Sequence, residues 1–193
     1  MRVTLLNDPT LEYIDNAIGF CWNKGPYGTG EEGVARIDRV CNKFKHASML
    51  RFTSYIFELE MSTSALLEFS RHQVGINLAV MSTRYCTKQN PDLITVELSN
   101  NDKVNTLLLK HTADIVQFIV DNPTVSNDDL KLLLPQGFIY RMQVQFNAQS
   151  LQHFFNMRSA KSAHYHIRDL AQAIYDTLPP EHHFLFDDCM SDT

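Results

Sequence analysis

The chain has 193 residues, of which 44% are hydrophobic and 20% are charged, and its formal net charge is −5. This composition is typical of a globular protein, and it excludes wholesale disorder, collagen-like repeats and low-complexity sequence. No run of Lys and Arg is present, so we do not expect a protein that binds nucleic acid through its backbone. No apolar run approaches the roughly 18 residues that span a membrane, and the first ten residues lack a signal-peptide pattern. We therefore expect a cytoplasmic protein, with its four cysteines reduced because they form no C-x-x-C pair.

The first part of the chain predicts two strands and three helices. A short strand over 1–6 precedes a helix that begins near Asp8-Pro9-Thr10 and continues to residue 22. Residues 23–30 have loop composition. The remaining expected elements are a helix from 31 to about 45, a strand over 51–60, and a helix capped by Ser62 or Thr63 that continues to about residue 72.

The second part predicts mainly helices. After polar turns over 90–101, residues 102–121 have the period of an amphipathic helix. Its expected apolar face consists of Val104, Leu107, Leu108, His111, Ile115, Phe118 and Ile119. A short helix opened by Ser126 and stopped by Pro135, a strand over 138–146, and helices over 150–158 and 163–178 follow.

This order of elements predicts the fold class. Few strands, several helices and no strict strand–helix alternation favour an α+β fold with helices on a mixed or antiparallel sheet. We expect a single domain over 1–193, in which 180–193 form a peripheral C-terminal tail after Pro179-Pro180.

Two patterns resemble functional motifs but are not expected to be functional. Gly28-Thr-Gly30-Glu-Glu-Gly33 has dinucleotide-binding spacing, but no hydrophobic strand precedes it and two carboxylates lie where a pyrophosphate would bind. His164 and His166 are two residues apart and point to different faces of a helix, so we expect no metal site. The chain also lacks the G-x-S-x-G motif of serine hydrolases.

Residues 68–86 concentrate the side chains that a nucleotide ligand requires. Arginine suits bidentate recognition of phosphate, and tyrosine offers a stacking surface with a polar end. The segment supplies Arg71, His72, Ser82, Thr83, Arg84 and Tyr85. The alternative interpretation of these residues alone is a solvated, charged helix end.

This segment resembles the signature of the flavin-dependent thymidylate synthases, in which Arg-His-Arg precedes Ser-x-Arg-Tyr by seven residues. Two further stretches are similar to that family: Lys45–Leu50, with its His-x-Ser, and Asn147–Arg158. The resemblance extends over roughly residues 1–178. The departures are Gln73 for the third motif residue, eight residues over 74–81 in place of seven, Gln149 for Arg, His153 for Asn, and Arg51-Phe52 for Glu-His.

The resemblance implies a flavin-dependent thymidylate synthase-like fold and the conversion of dUMP to dTMP. Methylenetetrahydrofolate would supply the carbon, reduced FAD the hydride and NADPH the reducing power, without an enzyme nucleophile. The positions that match dUMP-binding residues are Glu68, Arg71, Ser82, Thr83, Arg84, Lys131 and Arg158. The positions that match FAD-binding residues are His46, Ser48, Arg71, His72, Gln73, Asn147, Gln149, His153 and Met157.

The resemblance further implies that Arg158 lies against the pyrimidine and acts in catalysis, and that the protein is a homotetramer with active sites shared between subunits. Two alternatives remain open at this point. A diverged relative could add a hydroxymethyl group to dUMP, or the chain could be a nucleotide-binding protein that has lost flavin chemistry.

Overall fold

The computed structural model describes residues 2–25 and 30–190. One four-stranded sheet has the strand order β1-β2-β4-β3. The strands are β1 Arg2–Leu5, β2 Ser54–Ser62, β3 Ile76–Val80 and β4 Ile139–Asn147. Burial alternates along β2 and along the second half of β4, because successive side chains on a strand point to opposite faces of the sheet. One face of the two long strands therefore belongs to the core.

Eight α-helices accompany the sheet in the described part of the chain. They are α1 Glu12–Cys21, α2 Glu31–Ile37, α3 Thr63–Phe69, α4 Thr83–Cys86, α5 Asp102–Asp121, α6 Asn127–Leu130, α7 Ala148–Arg158 and α8 Tyr165–Asp176. Polar side chains cap several of them. Ser62 accepts from the Ala65 amide, Ser126 from Asp129 and Asn147 from Ser150, as the preference for Ser and Asn at helix N-termini leads one to expect.

The chain divides into two compact units. The first unit comprises Met1–Arg2, Leu59–Arg71 and Ala79–Met142, and the second comprises Val3–Glu58, His72–Leu78 and Gln143–Thr193. The single domain expected over 1–193 stays a prediction.

The first unit has an apolar core around α5 and the chain on either side of it. This core consists of Ile94, Ile115, Ile119, Leu130 and Phe138. The bounds of α5 agree with the sequence prediction, but part of the expected apolar face does not. Val104, Leu107, His111 and Phe118 are exposed, whereas Thr112 is buried. Residues 107–109 are all leucine, so the period alone leaves the inward face of this turn undetermined.

The second unit has an aromatic core. The ring of Phe155 on α7 meets that of Phe186 edge-on, with centroids 5.5 Å apart, and Phe186 meets Tyr55 of β2 at 5.6 Å. Both phenylalanines are fully buried. The described part of the tail, 180–190, is therefore packed into this unit, which corrects the expectation of a peripheral segment. Residues 191–193 lie outside the described residues.

Three further elements differ from the sequence prediction. Residues 47–52 form a 3-10 helix, so β2 begins at Ser54 and not at Arg51. The helix expected from 31 to about 45 is α2 followed by a π-helical segment over Asp38–Lys43. β3 was not predicted, because its side chains are mostly exposed and its pairing with β4 is long-range. Of the expected loop over 23–30, residues 26–29 lie outside the described residues.

Candidate active site

In the first unit, two cations of the expected nucleotide site meet at one carboxylate. Arg84 lies on α4 and Lys131 follows α6 directly. Asp128 Oδ2 is 3.3 Å from Arg84 Nε, and Asp128 Oδ1 is 3.2 Å from Lys131 Nζ. The structure thus brings together Arg84 and Lys131, which are 47 positions apart in the sequence, around a carboxylate that the sequence analysis did not single out.

Asn127 links the same two helices through the backbone. Its Nδ2 donates to the Arg84 carbonyl at 2.8 Å, and its Oδ1 accepts from the Lys88 amide at 3.0 Å. Ser82 is the N-cap residue of α4 and Thr83 is its first residue. The side chains of Ser82, Thr83 and Arg84 are therefore presented by one short helix that is tied to α6.

Glu68 and Arg71 form a second charged pair in this unit. They lie at and just beyond the end of α3, with Arg71 Nη1 3.6 Å from Glu68 Oε1. The Arg71 side chain is 70% exposed. Its guanidinium therefore remains accessible to a ligand.

In the second unit, the expected catalytic arginine is hydrogen-bonded to the histidine of the flavin motif. Arg158, the last residue of α7, donates from Nε to His72 Nε2 at 2.8 Å. Because Nε2 accepts this bond, the neutral His72 ring carries its proton on Nδ1. The His72 ring also meets His153 and Phe154 edge-on, with centroids 5.7 and 5.3 Å apart.

The chain after His72 is clamped onto the start of α7. Ser150 Oγ donates to the Val74 carbonyl at 2.7 Å, and the Asn147 amide donates to the Gly75 carbonyl at 3.1 Å. Gly75 has a φ of +70°, and a Cβ there would overlap the side chains of Asn147 and Ser150. This glycine therefore allows the close approach that holds the His72 segment against α7.

The other expected flavin residues in this unit fall into three groups. Gln149 accepts from Arg51 Nε at 2.6 Å, so two of the departures from the family pattern bond to each other. His46 and Ser48 line a cavity of about 270 Å³ together with Trp22 and Phe44. The side chains of Gln73 and Met157 are exposed and form no hydrogen bond or ion pair with any residue that the structure describes.

Two of the cysteines are poor nucleophiles. Burial raises the pKa of Cys41 to about 11, and burial also raises the pKa of Cys189. Since the thiolate is the reactive form, a raised pKa makes these two thiols less reactive near neutral pH than an ordinary cysteine. Outside the masked positions, no group of three His, Cys, Asp or Glu side chains could hold a metal ion.

The residues that sequence reasoning missed are Asp128 and Asn127. The spacing of Asp128 and Lys131, three residues apart on a helical turn, predicts an ion pair. The contact of Asp128 with Arg84 depends on α4 meeting α6, and no local pattern indicates it. Within the described ranges, no helix is long and apolar enough to cross a membrane.

Comparison with known proteins decides the family. Residues 10–182 match the family model described as thymidylate synthase complementing protein. The flavin-dependent thymidylate synthase of Campylobacter jejuni (strain RM1221) is 35% identical over 207 residues, covering 98% of each chain. The chain belongs to the flavin-dependent thymidylate synthases. The family resemblance noted in the sequence is thereby confirmed, and the chain is an enzyme of the thymidylate synthase type.

Other members of the family agree in length and fold. The flavin-dependent thymidylate synthase of Wolinella succinogenes is 34% identical over 96% of this chain and 97% of its own length. A crystal structure of thymidylate synthase X from Helicobacter pylori with FAD and dUMP has a TM-score of 0.90 and 30% identity, with both chains fully covered. The predicted α+β fold of this family is thus confirmed.

Proposed function

We propose that the protein methylates dUMP reductively to dTMP, with FAD as its cofactor, methylenetetrahydrofolate as carbon donor and NADPH as reductant. The observation that best supports this reaction is the similarity over the full chain to a solved relative that contains both FAD and dUMP. The hydrogen bond between Arg158 and His72 adds support from this chain, because it joins the residue expected at the pyrimidine to the motif expected at the flavin.

The nucleotide phosphate is proposed to bind at the corner formed by α4 and α6. Ser82 and Thr83 offer hydroxyls at the start of α4. Arg84 on α4 and Lys131 just after α6 offer positive charge for the phosphate. Lys131 is a point charge without the bidentate fork of arginine, so its contribution is mainly electrostatic. Glu68 and Arg71 are proposed to face the nucleotide from the end of α3.

The flavin is proposed to bind to side chains that all belong to the second unit. They are His46, Ser48, His72, Gln73, Asn147, Gln149, His153 and Met157. Their imidazoles, amides and hydroxyl can donate and accept hydrogen bonds, as a flavin ring and its phosphates require. The hydrogen bonds to the carbonyls of Val74 and Gly75 fit this role, since they hold the segment after His72 against the start of α7.

Catalysis is assigned to orientation and electrostatics. Reduced flavin supplies the hydride when it is bound. Arg158 is proposed to lie against the pyrimidine, where a fixed cation stabilises the negative charge that develops toward the carbonyl oxygens. The hydrogen bond to His72 restricts the rotamers of Arg158 and thus aims its guanidinium. No enzyme nucleophile is required, which agrees with the raised pKa values of Cys41 and Cys189.

The assembly is proposed to be a homotetramer whose subunits share active sites, each subunit acting as a single domain in the cytoplasm. Exposed apolar side chains on α5 support association, because groups of such residues mark protein interfaces. Val104, Leu107 and Phe118 lie on one face of this helix and are 51%, 69% and 43% exposed.

The deciding experiment is a visible spectrum followed by single turnover. Purified protein with added FAD is expected to show flavin absorbance. Under anaerobic conditions, the reduced flavin is expected to be oxidised only when dUMP and methylenetetrahydrofolate are present. The mass of the nucleotide product separates methylation from hydroxymethylation. Folded protein that binds dUMP but no FAD, even in excess, would contradict the proposal and favour a nucleotide-binding role.

A further inference from the structure

One carboxylate occupies the position between the two cations that are proposed to bind the nucleotide phosphate. Asp128 bonds to Arg84 through one oxygen and to Lys131 through the other, at 3.3 and 3.2 Å. Cations that a single carboxylate can bridge are spaced so that two oxygens of one phosphate can also bridge them. The three side chains are all at least 43% exposed, so an anion from solvent can reach them.

The packing of α4 against α6 has contacts that do not involve the charge of Asp128. Asn127 holds α4 against α6 through the Arg84 carbonyl and the Lys88 amide. Lys88 Nζ adds bonds to the carbonyls of Pro123 and Val125 at 2.9 and 3.1 Å. An exposed ion pair also contributes little to stability. The carboxylate of Asp128 is thus dispensable for the fold of this corner.

We infer that Asp128 is a resident anion of the phosphate site, which neutralises Arg84 and Lys131 until a phosphate competes with it. This inference rests on the proposed function, since it assumes that the two cations serve the dUMP phosphate. A phosphate monoester carries nearly two negative charges at pH 7, whereas the carboxylate carries one. A phosphate can therefore displace the carboxylate, while a monovalent anion such as chloride competes poorly.

Asp128 therefore lowers the affinity of Arg84 and Lys131 for every anion. It lowers the affinity for monovalent anions most, so the pair prefers a phosphate monoester over an ion such as chloride. Removing its charge while keeping its shape is expected to tighten phosphate binding. Asp128→Asn makes this change, because asparagine preserves the size and one of the two oxygens.

The chain offers a matched control one residue away. Asp129 has the same charge on the same helix, but its Oδ2 accepts from Ser126 Oγ at 2.6 Å and it forms no ion pair with any residue in the described ranges. Asp129→Asn changes the net charge of the protein by the same amount. A difference in phosphate affinity between the two variants therefore reports the contact of Asp128 with the two cations and not the change in the net charge of the protein.

The test is calorimetric titration of the full-length protein and both variants with inorganic phosphate, dUMP and deoxyuridine at low salt. Asp128→Asn is expected to bind inorganic phosphate and dUMP about three- to tenfold more tightly than wild type, as expected for removing one nearby charge in water. Deoxyuridine, which lacks the phosphate, is expected to bind equally to all three proteins. Added chloride is expected to weaken phosphate binding more strongly in Asp128→Asn.

Arg84→Gln introduced into Asp128→Asn is expected to abolish the gain, with circular dichroism confirming that the fold is retained. Equal, weaker or unmeasurable phosphate binding by Asp128→Asn would overturn the inference, as would the same gain in Asp129→Asn or a gain for deoxyuridine. The titration with inorganic phosphate tests the role of Asp128 by binding alone and does not depend on turnover. If the wild-type protein does not convert dUMP, the proposed function is wrong, but the titration still tests the role of Asp128.

Discussion

Replacing Arg158 tests the proposed active site most directly, because the structure separates its role in chemistry from its role in folding. Arg158→Ala removes the guanidinium that bonds to His72, and Arg158→Lys keeps a charge without the planar fork. α7 is anchored independently by Leu151, Phe154 and Phe155, all of which are fully buried. We therefore expect both variants to fold.

The magnitudes follow from the contacts that are lost. A hydrogen bond of this kind contributes about 1 kcal/mol, and a cation in the last helical turn adds about 0.5 kcal/mol, so Arg158→Ala is expected to lose roughly 1.5 kcal/mol of stability. For a chain of this length that corresponds to a fall in Tm of about 3–6 °C. The rate is expected to fall much further, by about 100- to 1,000-fold, because a preorganised contact to the developing charge is removed.

The assay is anaerobic stopped-flow measurement of dUMP-dependent flavin oxidation, with bound flavin quantified by absorbance. Arg158→Lys is expected to recover part of the rate. Arg168→Ala is the control, since it removes a cation of α8 that bonds only to the Lys161 carbonyl among the described residues. An Arg158→Ala protein that turns over within about threefold of wild type would refute the assigned role, because a lost transition-state contact raises the barrier by more than that.

Three further predictions concern the cofactor, the assembly and pH. The purified protein is expected to bind added FAD with a visible absorbance band, and a colourless folded protein after gel filtration with excess FAD would count against the flavin site. Inactive Arg84→Ala and Arg158→Ala subunits are expected to regain partial activity when mixed, since each damages a different half of a shared site; exchange of subunits without activity would argue for sites within single chains. Burial lowers the pKa of His182 below its ordinary value of 6.5, so the unfolded chain binds more protons and Tm is expected to fall as pH drops below about 6.5. His182→Gln is expected to flatten this dependence in thermal scans between pH 5 and 8, and an unchanged slope would show that other groups control it.

The parts of the fold that sequence predicted are those with a local cause. α5, α7 and α8 carry helical periodicity, and Ser62 and Ser126 cap α3 and α6 as the sequence analysis expects. β3 was missed because its stability comes from pairing with β4, more than 60 positions away, which no local period reveals. The position of the tail depends likewise on Tyr55, whose hydroxyl bonds to His182 Nδ1 at 2.8 Å across 127 residues.

The same distinction applies to the candidate site. Each motif identified side chains of suitable chemistry. A motif does not indicate which side chains from other parts of the chain contact them. Arg84 was recognised as a cation for phosphate, whereas its partner Asp128 belongs to a different helix and was ordinary in sequence. His72 and Arg158 were assigned to different ligands, and the structure joins them by a hydrogen bond across 86 residues. The sequence therefore proposes which side chains bind the ligands, and the structure adds the neighbours that contact them. Such neighbours fix the position of a binding side chain and so influence affinity and rate.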